Sequence, residues 1–330
     1  MNFGAVPLAE AEGTILAHGL SVGGIRLKKG HLLQIADLDA LAAAGLARVT
    51  IARLGPDDLG EDQAAEAIAA ALVPDPAAQG LRIGAAGTGR VNLHATGPGV
   101  IVLDAPAIGR LNAVDPMITL ATVPPFQRVQ TGMMVATVKI ISYGVSAAAV
   151  AQATAAGHTA LRRVAPALSC ASLIETVIAG HDLPGKGRAA MAARMERLGL
   201  RLTPPIRVPH EEAAVAAALA DAPGEAILIL TASATSDLND VAPAALRRAG
   251  GEVIRFGMPV DPGNLLFLGR LGLRPVIGLP GCARSPALNG ADWVLERVLC
   301  GIPVTADDIA AMGVGGLLKE IPTRPRPRDG

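Results

Sequence analysis

The sequence predicts an α/β fold: a three-layer domain with a largely parallel sheet over residues 158–320, plus a smaller β-rich module on its N-terminal side. Three observations predict it. Beyond residue 160, short apolar runs alternate with Ala-rich or amphipathic stretches of about 10 to 15 residues, the rhythm of βαβ units. Residues 80–145 instead carry β-branched runs between Gly and Pro turns. The length, 330 residues, is long for a single core and points to about two domains.

Residues 1–79 read as an N-terminal α/β segment. Within it, residues 7–18 are expected as a short helix, Lys28, Lys29 and Gly30 as a turn, and Asp37 as the cap of a helix ending near Gly45. Residues 49–52 alternate as a strand, and 61–72 form a helix before the connector LVPDPAAQG. The β-rich module spans 80–157 and closes on a helix of mostly Ala and Val over 145–157. In the last domain, 158–320, strands are expected at 167–175, 226–231, 252–256, 265–269 and 275–279, with helices at 188–198, 211–221, 241–249 and 287–300. Residues 321–330, polar and Pro-spaced, form an extended tail.

Composition narrows the function classes. Acidic and basic side chains balance at 29 each, so no broad basic field is available for nucleic acid or an anionic membrane surface. The three cysteines, Cys170, Cys282 and Cys300, lack C-x-x-C spacing, and their odd number argues against a disulfide framework. No secretory signal is visible at the N-terminus, and no apolar run reaches the ~20 residues of a membrane helix. A cytoplasmic protein is expected.

Chemistry is expected on three loops that follow strand ends, where helix N-termini present unpaired N–H groups to anions. The first, LILTASATSDLNDV, offers Thr231, Ser233, Thr235, Ser236, Asp237 and Asp240. Small hydroxyl residues admit a phosphate close to the backbone, yet Asp240 or Asn239 capping the next helix explains the same pattern, and alone favours capping. The second, MPVDPGNLL, turns at Pro262 and Gly263 and aims Asp261 and Asn264 outward; a Pro-Gly turn needs no ligand. The third, GLPGCARSPALNG, sets Pro280, Gly281, Arg284 and Ser285 before a helix. Arg284 suits a phosphate, whereas Ser285 as cap with Pro286 at the first helical position suits structure alone; the two readings stand even.

Other polar groups carry weaker signals. Lys186 and Arg188 follow a Gly-rich stretch over 177–186 that falls short of a P-loop and reads better as solvated loop. His210, Glu211 and Glu212 open a helix, where acidic residues suit the dipole. Arg90, Asn92, Asn112, Asp115 and Thr119 default to turn roles.

Taken together the loops resemble, in order, those of the molybdopterin molybdenumtransferase and gephyrin family. That family's first loop reads like TSGGVS followed by an Asp, against Thr231 to Ser236 and Asp240 here. Its MKPGKP is met by Met258, Pro262 and Gly263, and its LPGNPVSA by Leu279, Pro280, Gly281 and Ser285. The opening VPLAEAEGTILAHGL is similar to the family's VPLEEALGRVLAEDV. A bacterial molybdopterin-binding subgroup, often fused to a cofactor nucleotidyltransferase, is similar along FGMPVDPGNLL, GLPGCARSPALNGADWVLER and GVGGLLKEI.

The resemblance implies a molybdopterin-binding-domain-like fold and a role in molybdenum cofactor biosynthesis. It implies that molybdopterin or molybdenum cofactor is the ligand, that Asp240 is the catalytic and metal residue toward the pterin or a Mg²⁺, and that the relatives' homodimer is shared. It implies either transferase activity, assisting molybdenum insertion, or handover to a cytidylyltransferase-type protein. A non-catalytic carrier or scaffold serving a molybdenum hydroxylase is the alternative, and a nucleotide-hydrolysing enzyme of the same fold is a third. Departures favour binding over insertion. Ser233 and Ala234 replace two glycines, Asp261 and Asn264 replace basic residues, and Cys282 replaces an Asn.

Overall fold

The computed structural model describes residues 1–179 and 185–318. The tail expected over 321–330, and part of the Gly-rich stretch over 177–186, lie outside the described residues. The chain divides into two compact units. The first comprises Met1–Thr96, Ile101–Gln127 and Thr131–Arg163; the second comprises Gly97–Val100, Arg128–Gln130 and Val164–Gly330. Among the described residues, no helix is long and apolar enough to cross a membrane.

In the first unit, strands Asn2–Pro7, Arg48–Arg53 and Ile15–Leu16 form an antiparallel sheet over a core of Leu8, Leu16, Leu33, Leu41 and Ile51. The helix expected over residues 7–18 is instead strand, a 3-10 turn at Leu8–Glu10, and strand Ile15–Leu16. Pairing of Val6 and Leu16 with the strand Arg48–Arg53 outweighs the local Ala and Glu propensity there. Asp37 is not the cap of helix Ile35–Ala43 but its third residue: its carboxylate accepts from the Gln34 N–H at 3.0 Å. That helix ends at Gly45, whose φ of 85° lets the Gly45 and Leu46 N–H groups close onto Ala42 and Leu41. A four-stranded antiparallel sheet follows, in the order Ile118–Thr122, Met134–Ile140, Arg90–Ala95, Leu81–Ile83, with helices Glu61–Leu72, Ala105–Val114 and Ala147–Gly157.

The second unit is built on a seven-stranded sheet. Its elements are β1 (Cys170–Val177), α1 (Lys186–Glu196), β2 (Arg201–Leu202), β3 (Ile206–Pro209), α2 (Glu212–Asp221), β4 (Ala226–Leu230), α3 (Val241–Arg248), β5 (Glu252–Phe256), β6 (Phe267–Leu271), β7 (Arg274–Gly278), α4 (Gly290–Leu299) and α5 (Ala306–Ala311). Strand order is β2 and β3 beside β1, then β4, β7, β6 and β5. The pairings β1–β2, β1–β3, β1–β4 and β4–β7 are parallel, while β7–β6 and β6–β5 are antiparallel. The sheet is therefore mixed, not largely parallel throughout. Crossover helices separate the strands that run parallel. Only a two-residue turn, with Gly272 at φ 60°, joins β6 to β7, and such a turn can join only antiparallel neighbours.

Period-2 alternation distributes the core over both faces of this sheet. Leu228 and Leu230 of β4 pack with Met191 and Met195 of α1 and with Val294 and Leu295 of α4. Ile227 and Ile229 pack with Leu219 of α2 and Leu246 of α3. Gly278 on β7 has a packing reason, since a Cβ there would run into the Phe267 ring. The edge strand is interrupted between β2 and β3 at Thr203, Pro204 and Pro205, because two successive prolines supply no N–H to the ladder.

Candidate functional site

Strands β1 and β4 lie side by side, yet the chain leaves β1 toward one edge, at β2 and β3, and leaves β4 toward the other, at β5. Such a switch in direction opens a crevice at the carboxyl ends of the strands. Because β1, β4, β7 and β5 share one direction, residues 178–179 and the segments 231–240, 257–266 and 279–289 all emerge at that end of the sheet.

The 231–240 segment is held by its own polar groups. The Thr231 hydroxyl donates to the Ser233 carbonyl at 2.6 Å and lies 3.3 Å from the Thr235 hydroxyl; both threonines are buried. The Thr176 hydroxyl on β1 accepts from the Ala232 N–H at 2.7 Å and meets His210 Nδ1 at 2.9 Å, so His210 belongs to a brace behind the loop. Asp240 is the N-cap of α3: one oxygen accepts from the Val241 N–H at 2.7 Å and the other from the Ser236 N–H at 3.0 Å. Asp237 accepts from the Asn239 N–H at 2.7 Å. Ser233, Ser236 and Asp237 are exposed on the outer side of this loop.

Arg284 ties the first loop to the third, donating to the Thr231 carbonyl at 2.7 Å. Burial pushes the Arg284 guanidinium down from its usual value, and the nearby Glu175 carboxylate opposes that push. Pro280 is buried, Gly281 is exposed, and residues Gly281–Arg284 form a 3-10 turn. The following helix begins at Gly290 rather than at residue 287, because Asn289 and Asp292 close a capping box that Ser285 and Pro286 do not supply. Ser285 instead presents its carbonyl to Arg194.

Arg194 is the organiser that sequence reasoning missed. Buried in α1, it donates from Nε to Asp292 at 2.5 Å, from Nη1 to the Ala283 carbonyl at 3.0 Å, and from Nη2 to the Ser285 and Ala287 carbonyls at 2.9 and 3.0 Å. Its signal was its register: Ala190 and Met191, four and three residues earlier, mark the buried stripe of α1.

The second loop stands apart from the first. Pro262 follows a cis peptide bond, and its carbonyl accepts from the Gly290 N–H at 2.8 Å. Gly263 is buried, and a Cβ there would lie 2.8 Å from the Gly290 nitrogen. Asn264 is exposed and donates to the Met258 carbonyl at 3.4 Å. Asp261 pairs through its backbone with Gly316 and Leu318. This loop therefore braces the start of α4, two strands away from 231–240.

Among the described residues, no group of three or more His, Cys, Asp or Glu side chains is arranged to hold a metal ion. Each Asp240 oxygen accepts one N–H in capping α3. None of the three cysteines is in a disulfide. In the first unit, Asn112 exchanges bonds with the Leu120 backbone, and Asp115 and Thr119 likewise bond backbone groups.

One further carboxylate lies at this end of the sheet. Glu175 on β1, 1% exposed, has neither oxygen hydrogen-bonded among the described residues. Arg207 of β3 is its cross-strand neighbour, with Nε 3.8 Å from Oε2.

The sequence profile of a family described as a domain of unknown function (DUF8806) matches residues 5–53. No curated protein matches the chain. Among solved structures, the chain is similar to a molybdopterin biosynthesis moea protein from Pyrococcus horikosii, at 12% identity over 93% of this chain and 75% of that one, with a TM-score of 0.29. It is also similar to a molybdenum cofactor biosynthesis protein from Pyrococcus furiosus, at 14% identity over 92% of this chain and 66% of that one, with a TM-score of 0.25. TM-scores of that size carry no fold and no function across.

Proposed function

We propose that the second unit binds molybdopterin or its molybdenum form in cofactor biosynthesis and passes it on without itself inserting metal. The observation that carries the reading is the Arg284 to Thr231 bond at 2.7 Å, which joins two loops of family-like spelling at the switch point of the sheet. Arg284 and the exposed backbone around Gly281 supply donors for a phosphate; Ser233, Ser236 and Ser285 supply hydroxyls. Pro280 shapes the turn that presents Arg284. In this reading Thr231, Thr235, Asp237 and Asp240 hold the first loop in shape, and Pro262, Gly263 and Asn264 brace α4 from the second. Carriage is favoured over insertion because Asp261 and Asn264 stand where relatives place basic residues, leaving the anion molybdate little to bind. The same reading admits a cytidylyltransferase-type recipient, a molybdenum hydroxylase further on, and a homodimer.

Calorimetric titration with molybdopterin tests it. Micromolar or tighter binding, weakened at least tenfold in Arg284→Ala and unaccompanied by molybdate-dependent turnover, is expected. Turnover would replace carriage with transferase activity, and absence of binding would overturn the reading.

A further inference from the structure

Glu175 takes no part in the loop bracing described so far; it faces Arg207 at 3.8 Å. A carboxylate nine-tenths or more buried costs several kcal/mol unless its oxygens meet donors, and native proteins rarely leave one orphaned outside a functional site. Here neither oxygen has a donor among the described residues, and Glu175 sits at the last β1 to β4 pairing, opposite Leu230 and one residue before Thr231. Its charge is felt by Arg284, the residue that ties the two loops together. Gly187 at the start of α1 approaches the same spot, since a Cβ on it would lie 2.7 Å from Leu230 and 3.1 Å from Arg284 Nη1. The orphaned group therefore lies near the carboxyl end of β1, beside Leu230 and within the electrostatic reach of Arg284.

The surroundings decide what fits it. A divalent cation needs more acidic ligands than one, and none of the described residues completes such a set. Arg207 at 3.8 Å and Arg284 beside it make the place unfavourable for any cationic guest. What remains is a neutral, planar pair of N–H donors, which a carboxylate accepts through both oxygens in the geometry it otherwise uses for arginine. We propose that Glu175 is a specificity-determining residue that accepts the paired N–H groups of a 2-amino-4-oxopyrimidine edge, as in a pterin or a guanine, while Arg284 faces the anionic end of the same ligand. This deepens the molybdopterin reading and rests on it for the choice of pterin over guanine.

The experiment is calorimetric titration of the full chain and of Glu175→Gln. The probes are molybdopterin, the pair pterin and lumazine, which carries an oxo group in place of the 2-amino group, and the pair GMP and IMP. Wild type is expected to prefer the amino member of a pair at least tenfold, and Glu175→Gln to lose that preference and at least tenfold in affinity. The thermal midpoint of Glu175→Gln should change little, because the ion pair lost, to Arg207 at 3.8 Å, is long and its arginine half-exposed. If Glu175 only anchors Arg207, then Glu175→Gln and Arg207→Ala lower the midpoint alike and leave affinity unchanged, which overturns the proposal. Equal affinity of wild type and Glu175→Gln for molybdopterin overturns it while the carrier reading stands. Binding of GMP over IMP without any binding of molybdopterin upholds the Glu175 assignment and sinks the carrier reading. A wild type that binds no probe, or binds without amino preference, overturns the proposal. Should Glu175→Gln not fold, Glu175→Asp keeps the charge and retracts it by one methylene; unchanged affinity there has the same consequence.

Discussion

Replacing Arg194 by alanine removes a guanidinium whose side chain is 4% exposed and leaves Asp292, at 5%, buried without its cation. Breaking a buried pair from one side costs about 3 to 5 kcal/mol. The Ala283, Ser285 and Ala287 carbonyls lose their donor at the same time, which places the total at the upper end of that range. For a domain of this size each kcal/mol moves the midpoint by roughly 2 to 4 °C, so Arg194→Ala should melt about 10 to 20 °C earlier than wild type. Trp293, the one tryptophan of the chain, lies next to Asp292 in α4 and reports the unfolding by fluorescence. Arg194→Lys keeps the charge but cannot span the carbonyls with a planar fork, and should recover less than half of the loss. Asp292→Asn combined with Arg194→Ala should cost less than the two separate losses added. A midpoint drop under about 3 °C in Arg194→Ala, by the same conversion, would refute the assignment of Arg194 as organiser of the third loop.

Burial raises the Glu296 carboxyl to about 7, against the opposing pull of Arg128 at 2.9 Å. A carboxyl with a raised folded value binds its proton more tightly in the native state. Its contribution to stability is therefore whole near pH 4.5 and lost as pH climbs through about 7, on the order of 3 kcal/mol. Urea unfolding at several pH values should show Glu296→Gln flat across that window and more stable than wild type at pH 8; parallel profiles would contradict the assignment. Asp240→Asn keeps a good cap and should stay within about 0.5 kcal/mol of wild type, whereas Asp240→Ala should lose about 1 kcal/mol. Equal stability of the two variants would show that the cap contributes nothing. Gly278→Ala drives a methyl into the Phe267 ring and should cost about 1 to 3 kcal/mol, largely recovered by adding Phe267→Leu; loss without recovery would place the strain elsewhere.

The α/β alternation of the second unit was legible because crossover helices need length, and the runs around α2, β4 and α3 had it. The antiparallel run of β6 and β5 is written in the spacing too, since a crossover helix does not fit between residues 256 and 267 or in the two-residue turn at Gly272. Residues 7–18 misled because their Ala and Glu content speaks of local propensity, while pairing with Arg48–Arg53 is a contact about 40 residues away in sequence. The short strands β2 and β3 escaped because Pro204 and Pro205 read as loop. At the site, the loop positions were visible as strand ends followed by turn residues. The side-chain partnerships were not. Glu175 looks like any charged residue ending a strand, and Arg194 like any surface helix arginine, until the fold sets one beside Leu230 and the other against the Ser285 carbonyl.

The pair Pro204 and Pro205 also has a consequence beyond this chain. An open sheet edge offers a row of N–H and C=O groups to any unpaired strand nearby, which is how folded proteins seed fibres. On this edge the row is cut at its middle, leaving segments of two and four residues, each too short to hold an incoming strand in register. At high concentration, accretion through that border is blocked by backbone chemistry alone, independently of charge, salt or bound ligand.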